Sequence, residues 1–130
     1  EGSVTAVEYS QADRATLEEN VAHFDLHNVR IIDHVDAESM KDCPIPSLVF
    51  LVASASTHQE LTYLTGINPN INVVIYTLDF QTAAGLPAML NALGLDDVDT
   101  IQVSVSKLGS NNTFKTDPAP WIITARSREN

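Results

Sequence analysis

Ser47-Leu48-Val49-Phe50-Leu51-Val52-Ala53 is the stretch that decides the fold, because its apolar side chains run on without a polar alternate. A strand half-exposed to water alternates apolar with polar, whereas unbroken apolarity marks a central strand of a parallel sheet, covered on both faces. Cys43-Pro44-Ile45-Pro46 sets it off upstream, since proline lacks an N–H and restricts the residue before it. Downstream, Ser56 with Gln59, or Thr57 with Glu60, predicts a capping box for a short helix carrying Leu61 and Leu64. Gly66 and Asn68-Pro69-Asn70 close that helix, and Ile71-Asn72-Val73-Val74-Ile75-Tyr76 reads as the next strand. Residues 80–93 are helical in pattern, but Gly85 and Pro87 predict that only the half from Pro87, at the first helical position, is regular. Ile101-Gln102-Val103-Ser104-Val105-Ser106 alternates as a half-exposed strand, 108–119 is a polar loop, and Trp121-Ile122-Ile123-Thr124-Ala125 is the last strand.

Upstream of the deciding stretch, Val4-Thr5-Ala6-Val7-Glu8 reads as a short strand ending in an acid. Ser10 is placed to cap a helix over 11–24, where Leu17, Val21 and Phe24 share a face. Val29-Arg30-Ile31-Ile32 is a second strand, and 36–41 a helical turn. Strands alternating with helices, closed by an antiparallel pair, predict an α/β layered sheet in one domain spanning 1–130.

The chain has 130 residues, 44% of them hydrophobic and 18% charged, a globular composition with no run long enough to cross a bilayer. Seven basic against 17 acidic residues give a net charge of −10, which repels phosphate backbones and anionic lipid, so neither nucleic acid nor membrane is expected as a partner. The single cysteine, Cys43, forms no internal disulfide and fits a reducing, cytoplasmic setting. The chain opens Glu1-Gly2-Ser3 without an initiator Met and runs at once into strand-like sequence, which reads as a processed or partial chain.

Two ends of the sequence carry a family resemblance. Residues 101–107, Leu108-Gly109, Thr113-Phe114-Lys115 and Pro120-Trp121-Ile122-Ile123-Thr124 resemble the closing β-hairpin of decarboxylating precorrin methyltransferases. Gly2-Ser3-Val4-Thr5-Ala6-Val7-Glu8, Leu17-Glu18-Glu19-Asn20, Phe24 and Asn28-Val29-Arg30 are similar to the second strand, helix and third strand of that family. The resemblance implies a Rossmann-like methyltransferase sheet, mostly parallel with a C-terminal antiparallel hairpin. It also implies an S-adenosylmethionine-dependent enzyme of cobalamin biosynthesis that methylates a tetrapyrrole precorrin with loss of carbon dioxide, as a homo-oligomer. Glu8 falls where the family sets a carboxylate on the cofactor's ribose hydroxyls, facing a nucleoside-sized hollow, and Asp36-Ala37 where it has an acid-plus-small pair near the adenine. The other readings are a solvated strand-end acid for Glu8 and an N-cap for Asp36.

The departures bear on function. The family's first strand and glycine-rich cofactor loop fall before residue 1, so this chain is expected to be the later part of a methyltransferase domain. That strand lies in the family between those matching 4–8 and 47–53; without it two strand edges stay unpaired, and the chain alone is expected to be poorly stable or to self-associate. A glycine-rich stretch near the transferred methyl corresponds to Val52-Ala53-Ser54-Ala55-Ser56, so Ala53 and Ser54 would border the substrate space in a narrowed form. Ser47 replaces the family's Asp before that strand, and Ile75-Tyr76-Thr77-Leu78 replaces its Asn-Ala-Val-Thr. A degenerate, non-catalytic domain with an assembly or regulatory role is the competing expectation.

Other groupings are weaker. His23 and His27 are four apart but the helix is expected to end between them, so His23, His27, His34 and His58 predict no metal site. His58 opens the helix after the altered glycine stretch, and reads as a helix-surface side chain before a ligand contact. Cys43 and Ser54 lack the surroundings of a nucleophile. Lys107, Lys115, Arg126 and Arg128 gather near the C-terminus, either as a positive rim for a carboxylate-bearing substrate or as solvated charges.

Overall fold

A computed structural model describes residues 2–128, which form two compact units, residues 2–45 and 46–128. In the first, β1 (Val4–Val7) and β2 (Val29–Ile32) pair in parallel, Val4 opposite Val29 through Val7 opposite Ile32. The crossover between them is α1 (Gln11–His23), started as the sequence predicts by Ser10, whose Oγ accepts the Asp13 N–H at 3.3 Å. No side chain of α1 is buried. Two four-residue strands offer little surface to cover, so Leu17 and Val21 are only half-buried and Phe24 is exposed. Residues 36–41 form the single helical turn read from the sequence, with the Met40 N–H donating to the Asp36 carbonyl at 3.0 Å.

The second unit is a four-stranded sheet in the order β3-β4-β8-β5, built from β3 (Leu48–Val52), β4 (Asn72–Thr77), β5 (Asp97–Gln102) and β8 (Trp121–Arg126). β3 runs parallel to β4, and β8 lies antiparallel between β4 and β5, so three strands point one way and β8 alone is reversed. The helices α2 (Thr57–Ile67) and α3 (Phe80–Ala92) supply Leu61, Leu64, Leu86 and Leu90 to a core with Val73, Ile75 and Ile123. Fully burying each such side chain contributes roughly 1.5–3 kcal/mol. On β4 the burial alternates strictly, with Val73, Ile75 and Thr77 inward.

Several expectations are corrected. The stretch 47–53 forms an edge strand, not a central one, and Leu48, Phe50 and Val52 are 59%, 65% and 63% exposed on the face opposite the core. Neither capping box forms: Ser56 is the N-cap of α2 without a side-chain cap bond. α3 is continuous from Phe80 because Asp79 caps it and Leu86 and Leu90 anchor it, so Pro87 sits inside the helix rather than at its start. It ends at Ala92, and Gly94 just beyond the Leu93 cap takes a φ of +87°, a left-handed value suited to glycine.

β5 begins at Asp97, earlier than alternation predicts, because pairing with β8 places Arg126 opposite Asp97 with a 2.6 Å ion pair. The segment expected as a loop contains a small hairpin, β6 (Ser106–Leu108) with β7 (Phe114–Thr116), in antiparallel register. No helix among the described residues is long and apolar enough to cross a membrane.

Candidate functional site

Open α/β sheets bind ligands at the carboxyl ends of their parallel strands, and in the first unit that end is held by a small set of contacts. The Glu8 N–H donates to the Ile32 carbonyl at 3.1 Å, extending the ladder one residue past β1. Glu8 is half-buried, and its Oε1 accepts the Ser10 N–H at 3.0 Å. The Arg14 guanidinium reaches back from α1 to the carbonyls of Glu8 and Tyr9 at 2.9 and 3.2 Å, which pins the backbone that carries the acid.

After β2 the chain turns through Asp33, His34 and Asp36. The His34 ring meets that of Tyr9 edge to face, with centroids 5.0 Å apart, so the segments following β1 and β2 are joined at one end of the strand pair. Sequence reasoning missed this contact; the signal was an aromatic residue directly after the strand-end acid and a histidine two residues past the second strand. The Ser39 hydroxyl donates to Asp33 at 3.1 Å, and with His34 beside it holds that carboxyl below its ordinary 3.8. The Ser39 N–H donates to Asp36 at 2.7 Å and lowers that group likewise. The Asp36 side chain thus caps the turn that contains Ala37, while standing at the same end of the unit as Glu8.

Two depressions on the described surface have volumes of about 350 Å³, floored by Asn72, Val74, Asp97 and Thr124, and about 500 Å³, bordered by Gly2, Asp25, His27 and Asn28. Both lie at the amino ends of parallel strands, the wrong end for the ligand geometry of such sheets.

In the second unit, Ala53 and Ser54 form the turn leaving β3. The Ala53 N–H donates to the Tyr76 carbonyl at 2.8 Å. The Ser54 N–H donates to Thr57 Oγ1 at 2.8 Å, and Ser54 Oγ accepts the Ser56 N–H at 3.1 Å, so the side chains of this turn take up two of its own backbone donors just before α2. After β4, Asp79 accepts from the Thr82 hydroxyl at 2.7 Å and the Thr82 N–H at 2.8 Å, which hold its carboxyl below 3.8.

The C-terminal cations are largely matched. Lys107 faces Asp117 at 3.8 Å, Arg126 faces Asp97, and Arg128 faces Asp96 at 3.8 Å. Among the described residues no three His, Cys, Asp or Glu side chains gather in a way that could hold a metal ion.

No protein-family model matches the sequence, and no curated protein matches it. Solved structures do match. A precorrin-6y C5,15-methyltransferase from Geobacter metallireducens superposes with a TM-score of 0.83 at 21% identity, covering 97% of this chain and 68% of that one. A precorrin 8W decarboxylase from Methanobacterium thermoautotrophicum matches with a TM-score of 0.78 at 16% identity, over 95% of this chain and 69% of that one. A tRNA (m1A58) methyltransferase from Aquifex aeolicus gives 0.59 at 15% identity, over 97% and 54%. At such identities the likeness establishes the fold, which is an α/β, Rossmann-like methyltransferase fold with parallel strands and an antiparallel C-terminal strand.

Proposed function

We propose that this chain is the later part of an S-adenosylmethionine-dependent methyltransferase domain of the precorrin type, which methylates a tetrapyrrole with decarboxylation. The observation that carries the reading is the half-buried Glu8 carboxylate at the carboxyl end of β1, with one oxygen held by the Ser10 N–H, in a chain of this fold. A carboxylate so placed accepts from the two hydroxyls of a ribose. Arg14 would keep the acid in position, and Asp36 and Ala37 would border the nucleoside's base. Ala53 and Ser54 would border the acceptor. The cofactor supplies an electrophilic methyl on a sulfonium; the residues of the chain bind and orient.

The same proposal includes a homo-oligomer working in the cytoplasm. The open edge of β3 takes one further strand in it, because all five of its residues are apolar and neither charge nor proline blunts the edge. One observation favours a second reading, a non-catalytic domain of this fold: the Ser54 and Ser56 N–H groups in the turn after β3 are taken by the Thr57 and Ser54 side chains, in place of a bare glycine turn that would present them to a ligand.

Calorimetry of the full natural protein with S-adenosylhomocysteine separates the two. The enzyme reading expects saturable binding that weakens by roughly a hundredfold in Glu8→Ala, the equivalent of losing two hydrogen bonds to a charged group. Binding unchanged by that substitution removes Glu8 from the site, and no binding at millimolar ligand supports the non-catalytic reading.

A further inference from the structure

The Glu8 N–H on the Ile32 carbonyl closes the ladder between β1 and β2, and the residues that would hold the nucleoside stand on the two segments that leave it. Glu8 opens one segment and Asp36 lies on the other. Two groups on separate segments serve one ligand only if their spacing is held. The first segment is pinned from α1 by Arg14, whose guanidinium donates to the Glu8 and Tyr9 carbonyls. The second is held within itself, since Ser39 donates its hydroxyl to Asp33 and its N–H to Asp36.

His34 joins the two. Its Nδ1 stands 3.4 Å from the Asp33 carboxylate, and its ring meets that of Tyr9 at 87° with centroids 5.0 Å apart. That edge-to-face arrangement is a favoured one for aromatic rings. Contacts therefore run without a break from Tyr9, beside the strand-end acid, through His34, Asp33 and Ser39 to Asp36. Tyr9 is 46% exposed and His34 is exposed too, so the pair adds little to a core and its effect falls on the segments it ties together.

We infer that His34 is a positioning residue for the nucleoside: set against Tyr9 and steered by Asp33, it holds the Glu8 segment and the Asp36 turn at one separation. This deepens the methyltransferase reading above and rests on it. With the ring contact gone, the segments sample other separations, and affinity falls by the fraction of time spent away from the competent one. An aromatic pair of this geometry sets that loss at about threefold to tenfold.

The test compares the full natural protein with His34→Ala and with His34→Phe, which keeps a ring for Tyr9. S-adenosylhomocysteine affinity is measured by calorimetry, and amide spectra are recorded without ligand. His34→Ala should weaken binding by about threefold to tenfold, and His34→Phe should restore it to within about twofold. In the ligand-free protein, His34→Ala should shift the amides of Tyr9 and Ser10 and leave those of β4 in place. His34 is exposed, so neither variant threatens the fold. Affinity that ignores His34→Ala, a loss that His34→Phe does not recover, or Tyr9 and Ser10 amides that do not respond overturns the inference. S-adenosylhomocysteine that binds none of the three proteins counts against the methyltransferase reading and removes the nucleoside role of His34 with it. The ligand-free amides then still decide whether His34 holds the segment after β1.

Discussion

Replacing Pro87 by Ala should raise the stability of the unit formed by residues 46–128. Pro87 lies inside α3, where its nitrogen has no hydrogen to offer the Ala83 carbonyl four residues back and its ring crowds that carbonyl. An interior proline costs a helix about 3 kcal/mol relative to alanine. Against that gain, alanine frees the unfolded chain by about 1 kcal/mol. It also gives up about 1 kcal/mol of apolar burial, since Pro87 is half-buried. The net is a stabilisation of about 1 kcal/mol, which for a domain of this size moves Tm by about 4–8 °C. A thermal melt followed by the fluorescence of Trp121, the single tryptophan, reads this unit directly. A helix that started at Pro87 would place the proline at the first helical position, where the missing hydrogen costs nothing and its preset φ helps. An unchanged or lowered Tm would therefore refute the continuous helix.

Three further outcomes follow from the packing and the caps. Leu90→Ala, which empties a fully buried site of α3, should destabilise the same transition by about 2–5 kcal/mol, while Phe24→Ala, on an exposed side chain, should leave it within about 0.5 kcal/mol. The depressed carboxyls of Asp33, Asp36 and Asp79 contribute stability that is complete above 3.8 and is lost as pH falls through their lower folded values, so a Tm profile should be flat above about pH 5 and drop below it. Asp79→Asn keeps a good helix cap while removing one titrating group, so it should flatten that acid limb with little change at neutral pH.

The parts of the fold legible in the sequence are those whose causes are local. Ser10 announces α1 because its hydroxyl needs only the Asp13 N–H three residues on, and β1, β2 and β4 are short apolar runs bounded by turns. The misread parts depend on partners far away in sequence. Asp97-Val98-Asp99-Thr100 does not look like a strand, and becomes one because β8 arrives with Arg126 opposite Asp97. α3 runs through Gly85 and Pro87 because Leu86 and Leu90 are buried against the sheet, a tertiary gain that outweighs poor helix propensity. The apolar run of β3 was read as a central strand, but apolarity records what a strand is fit to touch and not how many neighbours it has.

At the candidate site the strand-end acid Glu8 was visible as a residue type in a position. The role of Asp36 was not, since it turns on whether its carboxylate is spent on the Ser39 N–H. The Tyr9–His34 and Phe80–Trp121 contacts join segments far apart in the chain, and they form only once the strands that carry or precede them pair.

The central claim is that the carboxyl end of β1 and β2 receives an S-adenosyl nucleoside. Amide correlation spectra of the full natural protein, recorded during titration with S-adenosylhomocysteine, test it most directly. The account predicts saturating shifts concentrated on the amides of Glu8, Tyr9, Ser10, Asp36 and Ala37. Unshifted spectra, or shifts confined to the amino ends of the strands around Asn28 and Asn72, would contradict it.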